Sequence, residues 1–524
     1  MNKSIQKPPD YGIIYNWDGA PHNLSEVPQS VEAFLEKTYA PLEDTQVGAL
    51  FWCISEHGAK WESSALEMLG DIHGRRYERA WNYVHVENMR QMLERGEDPY
   101  PSLIARGHEI GLHVYASVRM NDNHFDGAQI SDLPTLHHTE LTELRRDHPE
   151  WLLGEETSDW FALSWNFSVP EVREHRFAHV KEIAELYGWD GVELDWQRHG
   201  YHLPTDDGYR LRYVLTDLQR AIRSMTNNIA QERGRPFHLA ARVNGNIEMA
   251  RRLGYDLPVW IKEGLVDILI LGGSAGTDPS PDVSAIVEMC KNNEIAVYPG
   301  FDGGIDGTDI GPESQFVKSQ MRTRAIANRW HQSGADGVYV FNWHANRNSR
   351  RELLSEIGSQ TTLVSRDKIY AATYRVMIKE GPWRGAYRND RPWGEVPVAL
   401  KTTLTGDGPS VTLQVADDLS RNKPEEVELR IRIDQWVPGD EIAVKWDGEK
   451  LPQPIVRYSY TDMPKEEVYS DVSDTAWLSW ELDSKNVSLG PHTAQVILEN
   501  RNPHMACDIV LTDVELVIRY DSKI

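Results

Sequence analysis

Along the first 345 residues, short apolar runs alternate with longer stretches whose apolar positions recur every three or four residues. The runs are Gly12–Trp17, Val47–Ile54, Ile110–Val118, Gly191–Trp196, Phe237–Val243, Val266–Leu271, Ile295–Gly300 and Gly337–Trp343. Each has strand length and is bounded by turn residues. Strand alternating with helix predicts parallel pairing through right-handed crossovers. Eight such units over about 340 residues predict a (β/α)8 barrel with insertions.

The helical stretches support this. Val180, Ile183, Ala184 and Tyr187 share one face, as do Leu211, Val214, Leu215, Leu218, Ile222 and Met225. Both stripes read as core. Ser168-Val169-Pro170-Glu171 reads as a capping box at a helix start, with proline at a tolerated early position. A weak repeat places Gly188-Trp189-Asp190-Gly191-Val192 before strand four and Gly334-Ala335-Asp336-Gly337-Val338 before strand eight. Gly264-Leu265-Val266-Asp267-Ile268 is a looser copy before strand six. Asp190, Asp267 and Asp336 are thereby expected at the bottom of the barrel, in structural roles.

Two long insertions, Ser55 to Glu109 and Asn121 to Ser164, follow the C-terminal ends of strands two and three. They should overhang the top face as lids or binding walls, carrying His57, Trp61, His73, Trp81, His124, Trp151 and Trp160. From about Glu395 the period changes to two, with strand-like segments at Val398–Leu404, Ser410–Val415, Val427–Ile433, Glu441–Trp446, Ala476–Leu482, Thr493–Leu498 and Val510–Arg519. Turn residues punctuate them at the spacing of a β-sandwich. The expected organisation is a barrel over 1–360, a connector over 361–394 and an accessory β-sandwich over 395–524, acting mainly as a buttress.

Charge narrows the partners. Lys and Arg number 55 against 80 Asp and Glu, a formal net charge of −25. That repels nucleic acid and anionic membrane surfaces and favours neutral or cationic ligands, with an anionic one left to a local basic pocket. Cys53, Cys290 and Cys507 are far apart and odd in number, so no disulfide framework or Cys-x-x-Cys knuckle is expected. Met1 to Asp10 lacks an apolar leader core, and no run approaches membrane-span length. A soluble cytoplasmic protein is expected of the chain as it stands, and a periplasmic or secreted one if a leader precedes it. Nothing in the sequence speaks to oligomeric state.

Barrel chemistry belongs at the C-terminal ends of the strands. Alternation on strand four turns Val192, Leu194 and Trp196 to the helices and Glu193, Asp195 and Gln197 to the axis. Two axial carboxylates about 6–7 Å apart along a strand need cations or a raised pKa. The same parity turns His113, Tyr115, Ser117 and Arg119 inward on strand three, Arg242 and Asn244 on strand five, Tyr298, Gly300 and Asp302 on strand seven, and Tyr339, Phe341 and Trp343 on strand eight. Asp195 and Glu193 are the leading catalytic candidates, with Asp302 as partner carboxylate and Glu193 and Glu56 competing for that part. Arg198, Arg119, Arg242, Asn244, Tyr298, Asp18 and Glu56 are candidates for substrate contact, and Trp343 for stacking on a sugar face. No His-Glu-x-x-His, Walker loop or Gly-x-Ser-x-Gly elbow occurs, and the Asp302–Gly307 loop lacks calcium-loop spacing. Neither a cofactor nor a metal is expected.

Trp189-Asp190-Gly191-Val192-Glu193-Leu194-Asp195-Trp196-Gln197-Arg198-His199 resembles the strand-four segment of glycoside-hydrolase-like family 10 proteins, with Asp195, Trp196 and Arg198 matching its pattern. The resemblance covers the barrel and implies action on glycans. The segment also looks like the DGxDxDxE signature of family 18 chitinases: Asp190, Gly191 and Asp195 match, while Glu193 replaces an Asp. Gln197 stands where the general acid of that signature belongs, and an amide cannot donate that proton. The expectation is a glycoside hydrolase acting on a carbohydrate. The alternatives are a non-catalytic, lectin-like barrel and a metal-dependent sugar-processing enzyme.

Overall fold

The computed structural model describes residues 7–18, 27, 29–55, 57–125, 127–155, 161–272, 277–302, 315–345, 348–372, 395–401, 407–458 and 475–520. Eight parallel strands close a barrel in sequence order: β1 (Ile13–Trp17), β2 (Val47–Ser55), β3 (His113–Arg119), β4 (Gly191–Asp195), β5 (His238–Asn244), β6 (Ile268–Gly272), β7 (Ala296–Asp302) and β8 (Val338–Phe341). Pairing of β1 with β8, Asn16 opposite Phe341, completes the ring. The strands are short, apolar and buried along almost their whole length, as expected where helices cover a parallel sheet. The third run begins three residues later than the pattern predicts. Ile110 caps the helix Pro99–Glu109, and Gly111 turns the chain with φ 84° before the strand can start.

The repeated aspartates have one shared job. Asp190 Oδ2 accepts from the Val114 amide, Asp267 Oδ2 from Leu239 and Asp336 Oδ2 from Val297. Each carboxylate precedes an even-numbered strand and ties down the start of the odd-numbered strand before it. The bottom-of-barrel expectation therefore holds, with a cause. The capping box does not form: Val169 is the N-cap of the helix Pro170–Leu186, and the Ser168 hydroxyl donates to Asn166 Oδ1 instead. Pro170 does occupy the first turn.

The chain divides into two compact units. The first holds the described residues up to 302 together with 333–345 and 348–358; the second holds 315–332, 359–372 and 395–520. The helix Gln315–Gln332, between β7 and β8 in sequence, thus clusters with the second unit. That unit is an antiparallel β-sandwich. One sheet runs β10 (Val398–Leu400), β18 (Ile509–Arg519), β12 (Glu426–Asp434), β16 (Thr475–Glu481), β15 (Ile455–Tyr458), with β9 (Lys368–Ala371) also on β18. The other runs β11 (Ser410–Val415), β17 (Gly490–Asn500), β13 (Glu441–Trp446), β14 (Glu449–Lys450). Strict alternation along β11 sends Val411, Leu413 and Val415 into the shared core with Leu429, Ile431, Val496 and Leu516. On the reverse face of the first sheet, Val517 and Ile369 pack with Met321 of the helix Gln315–Gln332. Three strands, β9, β14 and β15, were not legible in the sequence. Among the described residues no helix is long and apolar enough to cross a membrane.

Candidate active site

The inside of the barrel is built in layers. Tyr11, Tyr115 and Tyr298 lie at the floor with Gly191, where an added Cβ would come within 2.2 Å of the His238 carbonyl and 2.4 Å of the Tyr115 ring. Glu193 stands one layer up and Asp195 above it, both fully buried. Asn16 of β1 reaches across the axis to Glu193, its Nδ2 donating to Oε2 at 2.8 Å and to Ser117 Oγ at 3.0 Å. Burial and the neighbouring Asp195 carboxylate push the Glu193 pKa up to about 7, against the pull of Ser117, Arg242 and Tyr339. The carboxyl is thus poised to hold a proton at neutral pH.

Asp195 is held from three sides. Its Oδ1 accepts the Gln197 and Arg198 amides at 3.0 and 2.8 Å, and Oδ2 accepts Arg242 Nη1 at 2.9 Å. Arg242 Nη2 donates to Asp302 Oδ1, so one guanidinium bridges the carboxylates of β4 and β7. Opposite, Gly272 leaves room for it: a Cβ there would sit 3.1 Å from Arg242 Nε and 3.1 Å from Gln197 Cγ. The Asp302 side chain retains 12% exposure, whereas Asp195 has none. Asp302 is the carboxylate of the pair that faces outward.

Arg119 forms the second bridge, donating through Nη2 to Asp18 Oδ2 at 2.8 Å and through Nη1 to Asp122 Oδ2 at 2.7 Å. Burial alone would raise the Asp18 pKa. Arg119, the Asn342 amide and Arg198 outweigh it and hold the carboxyl at about 2. Arg242, Arg119 and Arg198 all stand over Phe341, at 4.5, 5.5 and 5.6 Å from its ring centroid. The barrel mouth is therefore a ring of alternating charges around one aromatic floor.

Glu193, Asp195, Asp302, Arg119 and Arg242 come together with the inward direction that parity gives them, and Arg198 and Asp18, to which parity assigned no inward place, join them at the mouth. Asn244 is buried at the end of β5, its Oδ1 accepting the Asn246 amide. Two candidates are corrected. Trp343 is fully buried, packs on Phe301 at 5.6 Å and donates Nε1 to the Arg350 carbonyl, so its indole offers no face to a sugar. Tyr298 points inward but lies at the floor, its hydroxyl accepting the Tyr11 amide. Glu56 lies outside the described residues, as do Trp160 and the loop after Asp302, residues 303–314.

A second polar cluster, not assembled from the sequence, joins the loops after β2, β3 and β4. His57 Nε2 and His124 Nδ1 lie 2.9 and 3.2 Å from Glu140 Oε2. Asp122 Oδ1 lies 3.5 Å from His124 Nε2 and 2.6 Å from His199 Nδ1. Arg198 Nη2 donates to His124 Nε2 at 3.1 Å. The sequence shows histidines and acids scattered over two insertions, with no spacing rule connecting them.

Fold and site together define a (β/α)8 barrel with a charged, carboxylate-bearing mouth. No family model matches the chain, and no curated protein matches it. Among solved structures, a family 18 N-acetylglucosaminidase from Paenibacillus barengoltzii is similar at 12% identity, over 67% of this chain and all of that one, TM-score 0.35. A cell-surface chitinase from Paenibacillus sp. str. FPU-7 is 10% identical over 97% of this chain and 54% of its own, TM-score 0.36. A cycloisomaltooligosaccharide glucanotransferase from Paenibacillus sp. is 11% identical over 96% of this chain, which spans 57% of its length, TM-score 0.31. Likenesses this remote say nothing about chemistry, which rests on the geometry above.

Proposed function

We propose that the barrel is a glycoside hydrolase whose carboxylate pair is Asp195 and Asp302, with Glu193 as a buried, proton-holding carboxyl beneath them. The observation that carries this is the Arg242 bridge between carboxylates on β4 and β7 at the C-terminal mouth. Glycosidic hydrolysis asks for two carboxyl groups flanking the bond, one to protonate the leaving oxygen and one to act as nucleophile or base. Asp302, the more open of the two, is assigned to the sugar side, and Arg242 sets the spacing of the pair. Arg198 and Asp18 at the rim supply polar contacts for hydroxyl groups. A neutral glycan also suits a chain of net charge −25.

A second reading has its own support. Asp195 has no exposed surface, its oxygens are filled by two amides and Arg242, and Gln197 is an amide. Such a mouth could bind a glycan without cleaving it. The test is hydrolysis across a glycan library beside calorimetric binding, for wild type, Asp195→Asn and Asp302→Asn. Turnover falling by about 10²–10⁴-fold in both variants, with binding retained, supports the hydrolase. Binding without cleavage, equal in all three proteins, supports the glycan-binding barrel and ends the hydrolase reading.

A further inference from the structure

The insertions after β2 and β3 meet along a short seam between residues 70–78 and residues 137–140, and imidazole lone pairs fasten it. The His138 amide donates to His73 Nε2 at 3.2 Å, and the Glu140 amide donates to His138 Nδ1 at 3.2 Å. His137 stacks on His73 with ring centroids 4.1 Å apart and donates its Nε2–H to the Arg76 carbonyl at 2.9 Å. Thr139 is buried in the same seam: its carbonyl accepts the Gly70 amide at 3.1 Å, and its amide donates to Glu78 Oε2 at 3.1 Å.

An imidazole nitrogen that accepts an N–H carries no proton of its own. His73 is therefore the neutral tautomer with its proton on Nδ1, and His138 the one with its proton on Nε2. A second proton on either ring turns the acceptor into an N–H aimed at another N–H. Two of the bonds that hold residues 137–140 thus exist only while both rings are neutral, and histidine is the side chain that gains its charge between pH 8 and pH 5.

The charges around the seam set the direction. His137, His138, Arg146 and Glu78 face His73, while Glu78, His73 and Glu140 lie about His138. Burial, His137, His138 and Arg146 hold the His73 pKa below the usual imidazole value, against the pull of Glu78. The folded chain takes up that proton less readily than the unfolded chain. The contact is therefore complete above about pH 6.5 and is lost as the pH falls below it. Against the cost of burial, Thr139 holds the Glu78 carboxyl below its own usual value, so Glu78 stays ionised over this range and keeps its bonds to Thr139.

We propose that His73 and His138 form an acid-released latch that holds the loop after β3 against the loop after β2. The latched segment ends at Glu140, whose carboxylate lies 2.9 Å from His57 Nε2 and 3.2 Å from His124 Nδ1, and His124 Nε2 accepts Arg198 at the mouth. Release frees this segment beside the mouth. The latch works in the same way whether the mouth cleaves glycans or only binds them.

The test is amide hydrogen exchange on the full chain at pH 7.5 and pH 5, with rates corrected for the intrinsic effect of pH. Protection of the His138 and Glu140 amides should fall at least about tenfold at pH 5, while the Leu239 amide, held by Asp267 in the barrel, keeps its protection. His73→Gln and His138→Asn each put an uncharged amide oxygen in place of the imidazole lone pair, so the double variant should be equally protected at both pH values. If the double variant does not fold by circular dichroism, His73→Gln alone decides: its His138 amide should stay protected at pH 5 while its Glu140 amide opens. Equal protection of the wild-type seam at both pH values would overturn the latch. So would opening of the variants to the wild-type extent, or a loss at Leu239 as large as that at His138.

Discussion

Two buried charge networks, one at the barrel mouth and one in the sandwich, look alike and behave oppositely. In the sandwich, Glu515 of β18 stands opposite Arg430 of β12 in the register and accepts its Nε at 2.7 Å. Lys318 reaches the same carboxylate at 3.0 Å, and Arg322 joins it. One anion thus has three cations. Burial would raise its pKa, but Arg430, Arg322 and Lys318 hold it well below the usual carboxylate range. At the mouth the balance is reversed: Asp195, Asp302 and Glu193 share Arg242, and the carboxyl farthest from it is pushed up to about 7. Buried charge alone does not mark a site. What marks it is an anion left short of cations, because that group can hold and release a proton near neutral pH.

The largest test of the contrast removes the hub of each network. Arg242→Met strands two carboxylates, and Glu515→Gln takes the shared anion from Lys318, Arg430 and Arg322, of which Arg322 keeps Asp513 at 3.3 Å; each should cost about 3–5 kcal/mol in denaturant unfolding. Only Arg242→Met should also abolish glycan turnover or binding. An Arg242→Met protein that is destabilised yet fully active would reduce the mouth to a structural network like that of the sandwich.

The next test uses pH. An unfolded glutamate titrates near 4.3, whereas Glu193 in the folded chain titrates at about 7. The folded form therefore binds its proton more tightly. The stability this lends is complete below about pH 4 and is lost as pH rises through 7, up to about 4 kcal/mol. Glu193→Gln keeps the shape without the charge, so it should flatten this loss and melt higher than wild type at pH 8. Glu515 has the opposite sign: its contribution is present above the unfolded pKa and fades as the pH falls. Glu193→Gln melting in parallel with wild type from pH 5 to pH 8 would remove the proton-holding role.

Where alternation held, the sequence was enough to find the mouth. Glu193, Asp195, Arg119 and Arg242 sit on extended strands, and the side-chain period of two carries each to the axis. The rule fails where the backbone leaves that geometry. Asn342 has φ 47°, so Trp343 turns to Phe301 instead of following Phe341 inward. For Tyr298 the direction was right and the depth wrong, since it is only the third residue of β7. The His57, Glu140 and His124 cluster follows no period at all, because residues brought together by long loops leave no trace in spacing. The helix Gln315–Gln332 was not singled out in the sequence, and nothing there announced the packing of its Met321 with Val517 and Ile369.

The smallest expected effects sharpen the contrast from the bottom of the barrel, where each clamp carboxylate is paired with a cation of its own. Asp267 is the most enclosed of the three strand clamps, accepting the Leu239 amide at 2.7 Å and Arg223 Nη1 at 3.0 Å. Asp336, itself 25% exposed, accepts the Val297 amide at 2.9 Å and pairs with Lys7, which is 49% exposed. Hydrogen bonds to a buried charged group are worth about 1.5–3 kcal/mol, and exposed ion pairs about 0–1 kcal/mol. Asp267→Asn should therefore lower stability by about 2 kcal/mol and Asp336→Asn by about 1 kcal/mol, read from denaturant midpoints at pH 7. Neither should change turnover or glycan affinity by more than about twofold, because neither carboxylate faces the mouth. A larger loss of activity in Asp336→Asn than in Asp267→Asn would mean that the clamps feed into the chemistry, and that charge balance does not separate scaffold from site in this barrel.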